Sequence, residues 1–108
     1  MIMRIALIKI HNVEAGILKE ENQNRYIFKY NSEYKGPPIS LTMPVGGLEY
    51  EFNSFPPFFD GLLPEGVQLE GLLKKYKIDK NDYFEQLIVT GQDLVGAVTV
   101  EKIESFDE

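Results

Sequence analysis

The sequence predicts an α+β fold, in which a mainly antiparallel sheet from the N-terminal half and a C-terminal strand carries two or three short helices. Two observations support this. Up to about residue 52 the chain consists of apolar or alternating runs between turn residues, which is typical of strands. From Phe55 to Gly91 the apolar residues recur at helical spacing, and Ala97–Ile103 is then predicted as a last strand.

The strands of the first half follow from composition and alternation. Met3–Ile10 is almost continuously apolar and rich in β-branched residues, which indicates a well-buried strand. His11–Asn12 is predicted as a turn, and Ala15–Glu20 as the returning strand. Arg25–Tyr30 alternates, with three aromatic residues on one face. The same alternation predicts two further strands, at Ile39–Met43 and Leu48–Phe52.

Three helices are predicted in the second half. Pro57 suits a first helical position, and Phe58–Leu63 then forms one wide apolar face that ends at Pro64. A second helix starts from Glu65 onward. Its apolar residues follow the i, i+3, i+4, i+7 pattern and are expected to face the sheet. These residues are Leu69, Leu72, Leu73 and Tyr76.

The third helix is bounded by capping residues. Asp79 is predicted as its N-cap, with Asp82 in the first turn. Gly91 is predicted as its C-cap. Tyr83, Phe84, Leu87 and Ile88 form the buried stripe of this helix.

Length and charge restrict the class of protein. The 108 residues predict one domain, residues 1–103, followed by an acidic tail, residues 104–108. The net charge of −6 disfavours direct nucleic-acid binding, which relies on lysine and arginine. The chain has no cysteine, no apolar run long enough to span a membrane and no signal-peptide pattern. We therefore expect a soluble cytoplasmic protein.

Catalytic and metal-binding patterns are weak. His11 is the one histidine and lies in a predicted turn. A single histidine in a turn is a weak candidate for a nucleophile–base pair or a zinc site. Gly91 and Gly96 have the outer spacing of a phosphate loop, but Ala97 and Val98 replace the residues that hold phosphate and magnesium. Asp60 and Glu65 are weak candidates for an acid–base pair. We expect no catalytic residues, no cofactor and no metal.

Three segments occur together in a recognisable order. They are Gly36–Pro44 (GPPISLTMP), Pro57–Gly66 (PFFDGLLPEG) and Thr90–Val98 (TGQDLVGAV). As a set they resemble the N-terminal domain of HipA-type Ser/Thr kinase toxins, and the resemblance covers roughly residues 3–102. Such kinases continue for several hundred residues with ATP-binding and catalytic lobes. This chain lacks the catalytic-loop aspartate and its downstream asparagine.

A stand-alone copy of this domain resembles HipS, the small third component of HipBST toxin–antitoxin systems. The resemblance implies a non-enzymatic antitoxin that binds and restrains a partner HipA- or HipT-type kinase, with a HipB-like helix-turn-helix protein as a further member of the complex. Two alternatives stay open: a detached subdomain that completes or activates a split kinase, and a DNA-associated accessory factor, which the net charge of −6 disfavours. The Met1 start and the acidic end favour a complete small protein over a kinase fragment.

The predicted partner-binding residues lie at the central motif. They are Asp60, Leu63, Pro64, Glu65, Gly66, Val67 and Gln68. Such domains often carry a large or aromatic residue where this chain has Val67, so plugging of the kinase active site by a bulky ring is in doubt, and docking or restraint in an inactive geometry stays open. On a helix, Val67 lies almost opposite the apolar stripe. It is expected either to pack against Phe58–Leu63 or to form an apolar contact point for the kinase.

Overall fold

The structure, a computed structural model, describes residues 2–46, 49–92, 94 and 97–107. One antiparallel sheet has the strand order β4–β3–β2–β1–β5, and three helices lie between β4 and β5 along the chain. This confirms the predicted α+β class. The strands are β1 Ile2–Ile10, β2 Val13–Asn22, β3 Arg25–Tyr30, β4 Tyr50–Phe52 and β5 Val98–Asp107, and the helices are α1 Pro57–Asp60, α2 Gly66–Tyr76 and α3 Tyr83–Thr90.

The β1–β2 connection is a two-residue hairpin turn, as predicted. His11 and Asn12 have φ angles of 50° and 66°, and Ile10 pairs with Val13 across the turn. Left-handed backbone at both loop residues is the conformation that matches the twist of the flanking strands. The His11 N–H also donates to the Ala97 carbonyl at 2.9 Å, which ties the turn to the approach of β5.

The core lies on one face of the sheet. Alternate residues of β1, β3 and β5 point into it, because successive side chains of a strand point to opposite faces. In β2 the alternation is interrupted at Ala15, where the β1–β2 register shifts. The helices contribute Phe59, Phe84 and Leu87, each fully buried. The sheet contributes Ala6, Ile8 and Ile10 from β1, Ala15 and Leu18 from β2, Tyr26, Phe28 and Tyr30 from β3, and Val98 and Val100 from β5.

The end of α3 is fixed directly on β5. The Val100 N–H donates to the Gly91 carbonyl at 3.0 Å. A Cβ atom at Gly91 would lie 1.9 Å from the Val100 carbonyl oxygen, so only glycine allows this approach. Gly91 is the C-cap residue of α3, as predicted.

The predicted strand at Ile39–Met43 is wrong. The structure has a turn there, with one isolated bridge between Ser40 and Met43. Prolines on both sides of the segment lack the N–H groups that a strand ladder needs. The strand predicted from Leu48 begins at Tyr50, and Leu48 itself lies outside the described residues.

The predicted packing of α2 on the sheet is also wrong. None of its residues is buried, and Tyr76 is 47% exposed. The reason is that the core face of the sheet is already covered by α1, α3 and the segment that contains Tyr34, Ile39 and Met43. The leucines of α2 are therefore only half-buried.

Several element ends differ from the prediction. β2 extends beyond the predicted Ala15–Glu20 at both ends, and α1 ends at Asp60 rather than at Pro64. Asp82, not Asp79, is the N-cap of α3, and its carboxylate accepts a hydrogen bond from the Glu85 N–H at 3.2 Å. Asp79 instead accepts from the Asn81 N–H in the turn before the helix. β5 continues to Asp107, four residues past the predicted end, because residues 105–107 pair with the first residues of β1. These residues belong to the predicted acidic tail, whose last residue, Glu108, lies outside the described residues.

Candidate functional site

The predicted partner-binding residues lie on the connection between α1 and α2. Asp60 is the last residue of α1 and is exposed. Leu63 and Pro64 are half-buried, and Glu65 is the exposed residue that precedes α2. The other three residues, Gly66, Val67 and Gln68, form the first turn of α2 and are exposed.

Two prolines and a buried phenylalanine fix the start of this connection. Pro56 precedes α1 and Pro57 is its first residue, where the missing N–H has no helical partner to lose. Phe59 is fully buried and anchors α1 in the core. Beyond α1 the chain keeps turning, because the Leu63 N–H donates to the Asp60 carbonyl at 3.2 Å. The connection is therefore an ordered turn.

Gly66 makes the entry into α2 possible. Glu65 has extended backbone, with φ −131° and ψ 165°, and Gly66 follows with φ +60°. Residues other than glycine pay a steric cost for this left-handed conformation. The central motif thus needs glycine at this position to pass from the extended Glu65 into a helix.

Four of the seven predicted residues line one groove of about 640 Å³: Leu63, Pro64, Glu65 and Gln68. Its remaining walls are Gly61, Leu62, Leu72, Thr90 and Leu94. Among these described lining residues, Glu65 is the single titratable side chain. Nucleophilic or acid–base catalysis needs a partner group within hydrogen-bond reach, so the lining fits the binding of an apolar group better than catalysis.

Val67 lies apart from the groove. Its side chain is 83% exposed, which excludes the expectation that it packs against Phe58–Leu63. At helical spacing it shares a stripe of α2 with Gly71 and Lys74, both exposed. Val67 is therefore an apolar side chain within a polar helix surface, and its role as a contact point stays a prediction.

The C-terminal half of α2 adds exposed aromatic and basic groups. Tyr76 is 47% exposed, and the Lys75 ammonium lies 5.3 Å from the centre of its ring. Lys74 and Lys75 occupy the last turn, where positive charge is favourable near the free carbonyl groups. α2 thus presents apolar and basic side chains to solvent on several sides.

Leu41 is an exposed residue whose position the strand pattern at Ile39–Met43 does not predict. It is 96% exposed, while Ile39 and Met43 on either side are 8% and 2% exposed. The strand pattern placed all three side chains on one face. In the observed turn, the side chain of the middle residue points to solvent instead of into the core. The flanking prolines are the sequence signal that favours a turn over a strand.

A separate polar cluster joins β1 to α3. The Arg4 guanidinium binds Asp82, contacts Glu20 through its Nε at 2.7 Å, and lies 5.0 Å from the centre of the Phe84 ring. The Tyr26 hydroxyl donates to the second Glu20 oxygen at 3.0 Å. Burial, followed by the charge of Glu20, raises the pKa of Tyr26. Every charged group here has a partner within the domain, so the cluster holds the fold together.

Comparisons with known proteins agree on one family. The model of the HipA N-terminal domain matches residues 6–101. A solved structure described as the N-terminal domain of HipA toxin superposes with a TM-score of 0.73 at 29% sequence identity, covering 94% of this chain and 93% of that one. The central motif Pro57–Gly66 is described in full. Asp93, Val95 and Gly96 of the third motif lie outside the described residues.

Two curated relatives differ in length. An uncharacterized protein of Haemophilus influenzae is 28% identical over 101 residues, which is 94% of each chain. A protein of Sinorhizobium fredii named "Putative kinase Y4dM" is 33% identical over 110 residues, 93% of this chain but 27% of that protein. The chain thus spans about a quarter of the length of the second relative. Across the described residues, no helix has the length and apolar character needed to cross a bilayer.

Proposed function

Because the chain belongs to the HipA N-terminal domain family, we propose that it is a non-enzymatic, antitoxin-like protein that binds a HipA- or HipT-type Ser/Thr kinase in the cytoplasm and restrains it. The matched domain is separate from the catalytic part of such kinases. A HipB-like helix-turn-helix protein is the proposed third member of the complex. The chain itself makes no direct contact with DNA in this proposal.

One observation carries the proposal: the α1–α2 connection is an ordered turn anchored by the buried Phe59, and it presents apolar surface to solvent. Val67 is 83% exposed, and the groove beside the connection, which Val67 does not line, has mainly apolar side chains in its walls. Interfaces typically centre on a few apolar anchors surrounded by polar groups. The predicted partner-binding residues supply both, since Asp60, Glu65 and Gln68 are polar and exposed.

The substitution Val67→Asp tests the proposed contact between Val67 and the partner kinase. We expect the partner kinase to bind at least about tenfold more weakly, because the interface would bury an unpaired carboxylate. The fold is expected to keep its thermal midpoint, since Val67 is exposed and a negative charge in the first turn of a helix is favourable. Val13→Asp is the matched control, because Val13 is 55% exposed and lies far along the chain at the β1–β2 hairpin.

The measurement is calorimetric titration into the HipA-type kinase encoded beside the gene for this chain. Parent-like affinity of the Val67→Asp protein with intact folding would place the interface elsewhere. Loss of thermal stability would assign Val67 to the domain's own packing. Absence of any such neighbouring kinase gene would count against a separate partner.

A second candidate function is completion of a split kinase. The Sinorhizobium fredii relative favours it, because there the matching segment is part of a longer chain named as a kinase. Both functions use the same docking surface but predict opposite effects on catalysis. Autophosphorylation of the kinase should fall on addition of this chain if the chain restrains it, and rise if the chain completes it.

A further inference from the structure

The turn at residues 39–43 displays a leucine almost completely to solvent. Leu41 is 96% exposed, although Ile39 and Met43 at the two ends of the turn are buried in the core. Single exposed apolar residues are common on protein surfaces. The feature that sets Leu41 apart is how firmly the residues around it are held.

A single buried hydroxyl joins the two ends of this turn. The Tyr30 hydroxyl accepts a hydrogen bond from the Ile39 N–H at 2.8 Å and donates one to the Met43 carbonyl at 2.5 Å. The Met43 N–H donates to the Ser40 carbonyl at 3.0 Å, which closes the turn, and the hydroxyls of Ser40 and Thr42 lie 3.0 Å apart.

Two more tyrosines hold the prolines that flank the turn. The Tyr34 hydroxyl donates to the Pro37 carbonyl, and the Tyr50 hydroxyl donates to the Pro44 carbonyl, each at 2.6 Å. The rings of Tyr34 and Tyr50 both lie against Tyr30, with centroids 5.9 and 6.4 Å from it. Three tyrosine hydroxyls thus fix the backbone from Pro37 to Pro44. The Leu41 side chain on this fixed backbone lies outside the core and is exposed to solvent.

We propose that Leu41 is a preformed anchor that inserts into an apolar pocket on the partner kinase. Binding normally costs free energy to order loops and side chains, and a turn that is already ordered avoids much of that cost. An exposed leucine on a fixed turn therefore has the properties of an interface hot spot. This inference rests on the proposed function, because it takes the same kinase as the occupant.

The position of the turn in the fold supports the idea that Leu41 and the α1–α2 connection contact the same partner. Ile39 and Met43 belong to the same core cluster as Phe59 of α1, so the Leu41 turn and the α1–α2 connection both lie on the helical side of the sheet. In the Sinorhizobium fredii relative, almost three quarters of the chain lies outside the matched segment, so a kinase of that kind is large enough to contact both features at once. The net charge of −6 opposes close approach of a second copy.

The experiment is titration of the full chain and its variants into the kinase encoded beside its gene. We expect Leu41→Ser to weaken binding about ten- to thirtyfold with the thermal midpoint unchanged. Ile103→Ser is the matched control, because Ile103 is 45% exposed and lies beside Leu7 and Ile17, away from the turn. It is expected to bind like the parent.

A second variant tests positioning. Tyr30→Phe removes the hydroxyl that joins the ends of the turn and does not change the Leu41 side chain itself. If Tyr30 acts by positioning Leu41, Tyr30→Phe weakens binding in the parent but has no further effect on affinity in the Leu41→Ser protein. An equal additional loss in that background would show that Tyr30 acts independently of Leu41 and would overturn the positioning argument.

The outcomes separate this inference from the proposed function. If the parent does not bind the kinase, both fail. If the parent binds and Val67→Asp weakens binding while Leu41→Ser does not, the Leu41 anchor alone is wrong. If sedimentation shows a dimer of the chain that Leu41→Ser abolishes, the occupant is a second copy and the assignment to the kinase is overturned.

Discussion

Arg4 on β1 holds the carboxylate of Asp82, the residue that caps α3, through two parallel hydrogen bonds. The Arg4 Nη1–Asp82 Oδ2 distance is 3.2 Å and the Nη2–Oδ1 distance is 2.9 Å. The same carboxylate accepts from the Glu85 N–H. One side chain therefore starts a helix and attaches that helix to a strand 78 positions earlier in the chain.

Asp82→Ala removes both roles and is expected to lower the free energy of unfolding by about 1–3 kcal/mol, mostly through loss of the cap. Asp82→Asn keeps a capping oxygen and removes the charge, so it should cost less than half as much. The ion pair is part-exposed and screened by solvent, which limits its share. Urea denaturation measures both values, and an equal cost for the two variants would make the charge the dominant contribution.

Leu72→Ala and Leu87→Ala are expected to differ strongly. Leu87 is fully buried, so its truncation should cost about 2–5 kcal/mol. Leu72 is half-buried on a helix with no buried residue, and its truncation should cost under about 1.5 kcal/mol. Urea denaturation of both variants against the parent checks this. Similar costs would mean that α2 belongs to the core after all.

This contrast shows where sequence reasoning succeeds and where it fails. The period of Arg25–Tyr30 identifies a strand, and the observed β3 has the same bounds. The period of Leu69–Tyr76 identifies a helix, but it cannot say what covers the apolar side. What covers the apolar side of a helix depends on whether other segments already occupy the sheet. Here the segments that carry Phe59, Phe84 and Met43 already occupy it. A local sequence pattern does not show which of several segments, distant in the chain, will cover the core face of the sheet.

The sequence likewise predicts only part of the candidate site. The central motif locates the α1–α2 connection correctly, and helical geometry places Val67 away from the apolar stripe, as its 83% exposure confirms. The groove also needs Thr90 and Leu94, which come from the far end of α3 and the residues after it. Their proximity to Leu63 is set by tertiary packing, and the sequence carried no sign of it.

Two glycine-to-alanine substitutions are expected to have opposite effects. At Gly91, the new Cβ would collide with the Val100 carbonyl, and the resulting strain should destabilise the domain by about 1–3 kcal/mol or more. At Gly71, inside α2, a Cβ would have no described atom within 4 Å apart from its chain neighbours and the backbone of its own helix. Gly71→Ala should therefore stabilise the domain by about 0.5–1 kcal/mol through better helix propensity. Thermal melts of the two variants provide the comparison.

Alkaline pH is expected to destabilise the domain through its buried phenols. Burial raises the pKa of Tyr26 and of Tyr30 above the ordinary value of 10.0. Above that value the unfolded chain loses these protons while the native state keeps them, so stability falls as pH rises. Melting temperatures measured upward from pH 9 should decline from about pH 10. Tyr26→Phe should make the decline shallower, and an unchanged slope would assign it to other groups.

The pairing of β1 with β5 has a consequence for how the domain is used in larger proteins. Ile2 and Asp107 are direct partners across the two strands, so the start of β1 and the end of β5 lie side by side at one end of the sheet. Attachment to a longer polypeptide at either end therefore leaves the core and the helical side untouched. Accordingly, the segment that matches this chain covers 94% of one relative and 27% of the other.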